Sequence, residues 1–416
     1  TPDANGTATT KGKLVFGKNS SRVAQEWYIL GKDEGVSGDN TIIFAASPIV
    51  EDQVFEDDGS NNKTEQDLWS DCNYNGKSIT EVYPNHYGAS ELRVALKNMA
   101  KNTSYFTTAE QNLMNATTVT TKDTKNKDSS GNYLTYTTTD MLYAEAYGSS
   151  YKTIKVGSGN KTVLAMNSYW SNGDEFWLRS PYGNDERCVF LAIPNIYIQY
   201  YPVVHKGAVQ PASNLNLSSV LFASAATAAS SGTKSGMIAD GTAMTLRLDG
   251  TGKNIGTATY NITTGNIKAT KGSTTSNVAL VVQGKDGTND WYYSKQITGT
   301  ETVTTNASDI KTALSLSSDI DLSACKIWLE ITEDNVSYVV NAEKEIEKIN
   351  TTYVTKEQLM NSFKPYRDGT AVNYGKLVFG KKSDGTTAQE WYILGKDTGV
   401  SGDNTIIVAA SPIARG

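Results

Sequence analysis

The chain has 416 residues, 38% of them hydrophobic, and a net charge of −6 from 38 Lys and Arg against 44 Asp and Glu. That length accommodates two to three domains, each with a sizeable core. Charge of both signs with an acidic balance gives no basic patch for nucleic acid and disfavours anionic lipid, and no run approaches ~18 consecutive apolar residues, so membrane insertion is not expected.

In chain order, Leu14 to Phe16 and Trp27 to Leu30 read as a hairpin with Ser20 and Ser21 in its loop, and Thr41 to Ala45 as a third strand. The acidic, Asn-rich stretch Glu51 to Gln66 reads as a loop. Ser90 has the chemistry of an N-cap for a helix whose Leu92, Ala95, Leu96 and Met99 recur on one face. Thr107-Thr-Ala-Glu110 is a capping box, predicting a second short helix through Leu113 and Met114. The polar residues Thr120 to Tyr133 read as a surface loop.

Apolar and aromatic density peaks from Phe176 to Ala212. Arg187 to Ile193 and Ile196 to Val204 read as a second hairpin, with Pro194-Asn195 as a type I turn. Its apolar residues occupy both parities: Ile196, Ile198 and Tyr200 on one, Tyr197, Tyr201 and Val203 on the other. A strand with one wet face alternates, so either both faces are covered or one is an exposed apolar surface that meets a partner.

Residues 225–236, rich in Ala, Ser, Gly and Thr, read as a flexible linker. Several short strands between Met244 and Val340, with Asp286-Gly287 as a hairpin turn and a helix at Ile310 to Leu316, predict an immunoglobulin-like β-sandwich over 237–342. Glu343 to Ile349 and a capping box at Thr355 to Gln358 predict a helical connector over 343–365. Then the beginning returns. Gly12 to Lys18 recurs as Gly375 to Lys381, Ala24 to Asp33 as Ala388 to Asp397, and Gly35 to Ile43 as Gly399 to Ile407. A repeat spaced this widely is a domain repeat, so 366–416 reads as the opening of a second copy of the first domain. With Thr1 at the start, the sequence is expected to be processed or partial.

FWLRSP at Phe176 to Pro181, GAVQPA at Gly207 to Ala212 and LNLSS at Leu215 to Ser219 follow QEWYIL at Gln25 to Leu30, SELRVALKNM at Ser90 to Met99, FTTAEQ at Phe106 to Gln111 and DMLYAEAYG at Asp140 to Gly148. In kind and order these motifs resemble a bacterial surface domain family with the C-type lectin fold, the fold that also supports formylglycine-generating enzymes and retroelement-diversified variable proteins. The resemblance covers residues 11–224. It implies an α+β architecture: a C-type lectin-like domain at 11–224, followed by the all-β sandwich and the partial repeat. Gln210 stands where the family usually has arginine, so an ion pair there is not expected.

Material for catalysis is scarce. His86 and His205 are the only histidines, and Cys72, Cys188 and Cys325 show no C-x-x-C spacing. Formylglycine-type chemistry needs a reactive cysteine pair, and Cys188 stands alone within its motif. The loop acids Asp174, Glu175, Asp185 and Glu186 read as solvated. No catalytic residue, metal ligand or cofactor is assigned. The sequence predicts a secreted or cell-surface bacterial adhesion protein that binds a protein or glycan on another cell or surface. Tyr197, Tyr200 and Tyr201 are its expected anchors and Asp185, Glu186, Arg187 and His205 its rim, over buried support from Trp177, Leu178, Pro181, Pro211 and Leu215. The alternative is a stalk or filament subunit that self-associates through residues 375–413.

Overall fold

The computed structural model describes residues 13–59, 72–79, 81–148, 150–159, 161–164, 175–193, 197–262, 264–345 and 376–414. Strands take up 50% of these residues and helices 9%. The expected α+β, lectin-like class is therefore corrected: the described chain is mostly β, arranged in seven sheets. The helices are α1 (Glu91–Lys101), α2 (Thr108–Gln111) and α3 (Ala307–Leu314), with short 3-10 turns at Tyr87–Ala89 and Thr251–Lys253. Both caps form as expected, with Ser90 Oγ accepting from the Arg93 amide and Thr107 exchanging bonds with Glu110. A capping box starts a helix without setting its length, and α2 is a single turn. Met114 already belongs to a strand, Met114–Asn115.

A six-stranded sheet runs Lys13–Lys18, Ala24–Gly31, Asn40–Ala45, Ala212–Asn216 and Met114–Asn115, with Leu142–Tyr143 also pairing Ala212–Asn216. Leu14, Phe16, Trp27 and Ile43 are buried with Leu92, Leu96 and Met99 of α1 and with Phe106. Leu30, Ile42 and Phe44 are buried with Phe176 and Leu178. The latter two come from a five-stranded sheet ordered Tyr197–Pro202, Cys188–Ile193, Phe176–Pro181, Lys206–Val209 and Val50–Val54. Val50–Val54 corrects part of the loop expected from Glu51; the rest of that loop from residue 60 and the Pro194-Asn195 turn lie outside the described residues.

Two more expected coils are ordered. Thr117–Lys127 and Tyr133–Asp140 form a hairpin where a surface loop was predicted from Thr120 to Tyr133. The linker expected at 225–236 is also corrected. Thr233–Ile238 pairs with Asn289–Ile297, and Ala226 and Ala229 are buried, their amides donating to Ser224 Oγ and Ser294 Oγ. Small side chains read as flexible coil, but here they let the backbone lie close against Ala279, Val281 and Trp328.

Residues 220–345 form a seven-stranded and a four-stranded sheet over one core that includes Ile267, Leu280, Trp291, Leu329 and Ile310 of α3. Two of the pairings are parallel, Thr245–Asp249 with Val336–Asn341 and Gly256–Asn261 with Glu343–Glu345, and the others are antiparallel. Glu343–Glu345 is a strand where the connector helix was predicted to begin, and 346–365 lie outside the described residues. Asp286 still pairs with Asn289, so the tight turn is Gly287-Thr288, one residue past the expected Asp286-Gly287, with Gly287 at φ +61°. The amide of Val15 donates to Met244 O (2.8 Å) and that of Met244 to Lys13 O (2.7 Å), while Leu248 and Val336 share the cluster of Leu14 and Trp27. The first region and the second are thus fastened through strands and a common core. Among the described residues no helix is long and apolar enough to cross a membrane.

The repeat folds as its sequence dictates. Lys376–Lys381, Ala388–Gly395 and Ile406–Ala409 reproduce the first three strands, with Leu377 opposite Trp391 as Leu14 is opposite Trp27. Trp391 Nε1 donates to Phe379 O and Trp27 Nε1 to Phe16 O, each at 2.6 Å.

Candidate functional site

The register of the central hairpin decides which side each tyrosine takes. Tyr200 lies opposite Phe190, Tyr201 opposite Val189 and Tyr197 opposite Ile193. Side chains alternate along a strand, so Tyr200 shares a face with Phe190, and Tyr197 and Tyr201 share the other. Tyr201 is half-buried against the core that holds Trp177, Val189 and Leu191, with His205 4.8 Å from its ring. His205 bonds Glu175 and stands edge-on to Trp177. Tyr197 and Tyr200 are each 42% exposed. The three expected anchors therefore do not form one surface.

The expected rim splits as well. Asp185 and Arg187 pair with each other, the guanidinium holding the Asp185 carboxyl below its usual range. Glu186 is exposed, and its carbonyl accepts from the Asn85 amide. This loop lies beside Tyr182, whose amide bonds Cys188 O. The expected support is buried at Trp177, Leu178, Pro211 and Leu215, and half-buried at Pro181.

Around Tyr200 the fold assembles something the sequence did not display. Tyr182 stacks on Tyr200 with centroids 3.8 Å apart and meets Phe190 edge-on at 5.7 Å. Tyr147 stacks on the Phe190 ring at 4.3 Å, and Tyr151 meets Tyr147 at 5.9 Å. The result is a row of five rings, Tyr151–Tyr147–Phe190–Tyr182–Tyr200, drawn from three separate segments. Tyr151, 58% exposed, is held there because its carbonyl accepts from the Ile198 amide on the open edge of the Tyr197–Pro202 strand. A groove of about 460 Å³ runs beside the row, lined by Tyr147 and Phe190 and by Lys122, Tyr133, Thr135 and Lys155. The Lys122 ammonium lies 5.3 Å from the Tyr133 ring centroid. Ring faces beside ammonium groups and threonine hydroxyls suit a ligand that is apolar on one side and polar on the other.

No protein-family model, curated protein or solved structure matches the chain. The site's chemistry is accordingly read from its own residues.

Neither histidine lines the groove. His86 stacks on Tyr136 (4.1 Å) and bonds the Tyr74 hydroxyl (2.7 Å), and His205 is on the opposite face. Cys188 is buried, which pushes its thiol up and away from reactivity, and no disulfide joins the three cysteines. Carboxylate oxygens of Glu56, Asp57 and Glu91 lie within 4.8 Å of one another at the start of α1, a group that could hold a cation and that the sequence did not single out.

The row is backed by buried polar groups. Arg179 donates to Ala144 O from Nη1 (2.7 Å), yet its Nε and Nη2, both Glu145 carboxylate oxygens and the Tyr143 hydroxyl meet no partner. Burial pushes the Glu145 carboxyl up to about 8, with Asp33 adding to the rise and Arg179 opposing it. A carboxyl that binds its proton more tightly folded than unfolded stabilises the fold fully below its ordinary range near 4.5, and that stability is lost as pH rises through about 8. Glu145→Gln, a mimic of the neutral acid, is expected to match the native protein at pH 4.5 and to exceed it by on the order of 2 kcal/mol above pH 8. Denaturant midpoints at the two pH values test this, and equal midpoints at both would show Glu145 to be solvated.

Proposed function

We propose that this chain is a secreted or cell-surface binding protein that meets a protein or glycan ligand through the row Tyr151–Tyr147–Phe190–Tyr182–Tyr200 and the adjoining groove. The observation that carries the reading is the row itself: five rings in mutual contact, two of them 58% and 42% exposed, where a core would bury them. Rigid aromatic side chains give large contact area at small entropic cost. Of the seven residues expected from the sequence, Tyr200 stays as the end ring of this row and Asp185, Glu186 and Arg187 stay beside it through the Tyr182 loop. Tyr197, Tyr201 and His205 leave it.

The test is a binding screen of the full chain against purified cell-surface polysaccharides and immobilised extracellular proteins. Tyr182→Ala combined with Tyr200→Ala should keep the unfolding midpoint nearly unchanged and cost ~2 kcal/mol or more of affinity for whichever probe binds. Undiminished binding by the double variant would remove the ligand from this face. A second reading, a stalk or filament subunit, is favoured by one observation, the exposed apolar side chains of the copy at 376–414.

A further inference from the structure

Residues 376–414 repeat the sequence of the first three strands almost letter for letter and adopt the same pairing, yet leave Val378, Phe379, Ile406 and Val408 exposed and Leu377 and Trp391 only half-buried. Phe16 is 3% exposed and its counterpart Phe379 is 65%. Val408 stands where Phe44 is fully buried, and is 46% exposed. The first copy shows what such a unit is covered by. Asn40–Ala45 pairs along its length with Ala212–Asn216, and Leu14, Phe16 and Trp27 share a buried cluster with Leu92, Leu96 and Phe106. Ile406–Ala409 has no strand on its outer edge among the described residues.

Exchange between chains does not supply that cover. The described chain holds two such units and one set of covering elements, so a chain that captures a neighbour's second copy releases its own first copy. The number of uncovered units stays the same. The second copy is also the poorer fit to this chain. The Phe44 ring lies 5.8 Å from that of Phe176 in a closed cluster with Ile154 and Ala192, and valine there would leave part of the space empty.

We propose that residues 376–414 are a docking surface for a second covering module of the same build as residues 85–216. That module offers an antiparallel strand to Ile406–Ala409 and an apolar helix face to Leu377, Phe379 and Trp391. Opposite Val408 it carries a bulkier filling than this chain places opposite Phe44. The difference at one buried position keeps each three-strand unit with its own cover, so that successive modules join in a fixed order.

The test joins residues 50–224 of this chain in sequence after Ile413, the counterpart of Ile49, and follows amide hydrogen exchange. In the unextended chain, amides of 388–395 and 406–409 should exchange at least ~100-fold faster than those of 24–31 and 40–45. The extension should slow them, and Val408→Phe in the extended chain should slow them further, because the added module is this chain's own and places Phe176 opposite that position. Protection that arises only with Val408→Phe supports the proposal equally. Unchanged exchange in both extended chains would overturn it. So would equal protection with and without Val408→Phe, which removes the bulkier filling. Amides already slow in an unextended chain that light scattering shows to be dimeric would overturn it too, by making a second copy of this chain the occupant.

Discussion

Glu330→Ala is expected to lower the unfolding free energy by ~3–5 kcal/mol, the range for removing one partner of a buried ion pair. Glu330 and Arg247 are both nearly inaccessible, and Glu330 Oε2 accepts from Arg247 Nε (2.9 Å) and Trp328 Nε1 (2.7 Å) while Oε1 accepts from Ser337 Oγ (2.8 Å). Alanine would leave the Arg247 charge buried without its counter-ion and would take the acceptor from Arg247 Nε, Trp328 Nε1 and Ser337 Oγ. The loss should also be felt at a distance, since Arg247 donates to the carbonyls of Ser224 and Ala226 and so fastens the segment that the sequence reads as a linker. Hydrogen exchange of 224–229 should quicken along with the fall in denaturant midpoint. Glu330→Gln keeps one acceptor oxygen, for Trp328 Nε1, and turns the other position into an amide NH2 that can donate to Ser337 Oγ, so it should cost about half as much. A loss below ~1 kcal/mol for the alanine variant would mean that this network is hydrated.

Trp177→Ala is expected to cost ~3–5 kcal/mol through cavity formation and the loss of one buried bond. The indole is 1% exposed, donates to Gln53 O (2.7 Å) and stands edge-on to Phe55 at 5.8 Å. It also sits under Gly207, where an added Cβ would come within 3.1 Å of the indole nitrogen and 3.0 Å of Leu191. Trp177 joins the Val50–Val54 strand to the hairpin, so its removal should unfold the first region before the second. Two transitions in a thermal scan of the variant, against one in the native protein, would show this order.

Strands with apolar alternation or flanking turns were legible, as at 24–31 and 40–45, and both N-caps were readable from local chemistry alone. The hairpin at 117–140 was not. Its alternation is carried by Thr117, Val119, Thr121 and Asp123 on the buried side and by Thr and Lys outside, so polarity conceals the period of two. Ala226 and Ala229 hid in the same way, because closeness of backbone to sheet leaves no mark in hydrophobicity. For the site, density of tyrosine in the hairpin could be seen, but not the side that each ring takes, which depends on register and on which face α1 and its neighbours cover. Tyr147, Tyr151 and Tyr182 join the row only once the chain is folded; in sequence Tyr147 lies within the Asp140 to Gly148 motif, which resembles framework.

The claim that ligand contact belongs to the Tyr200 side of the hairpin and not to the Tyr201 side is tested most directly by comparing Tyr200→Ala with Tyr201→Ala, adjacent substitutions of the same residue type. For each, the unfolding midpoint and the affinity for the best-binding probe of the screen are measured. Tyr200→Ala should leave stability within ~0.5 kcal/mol of native and weaken binding at least tenfold, whereas Tyr201→Ala should lose ~1–2 kcal/mol of stability with affinity retained by the folded protein. The opposite pattern, with binding lost at Tyr201 and stability lost at Tyr200, would contradict the account.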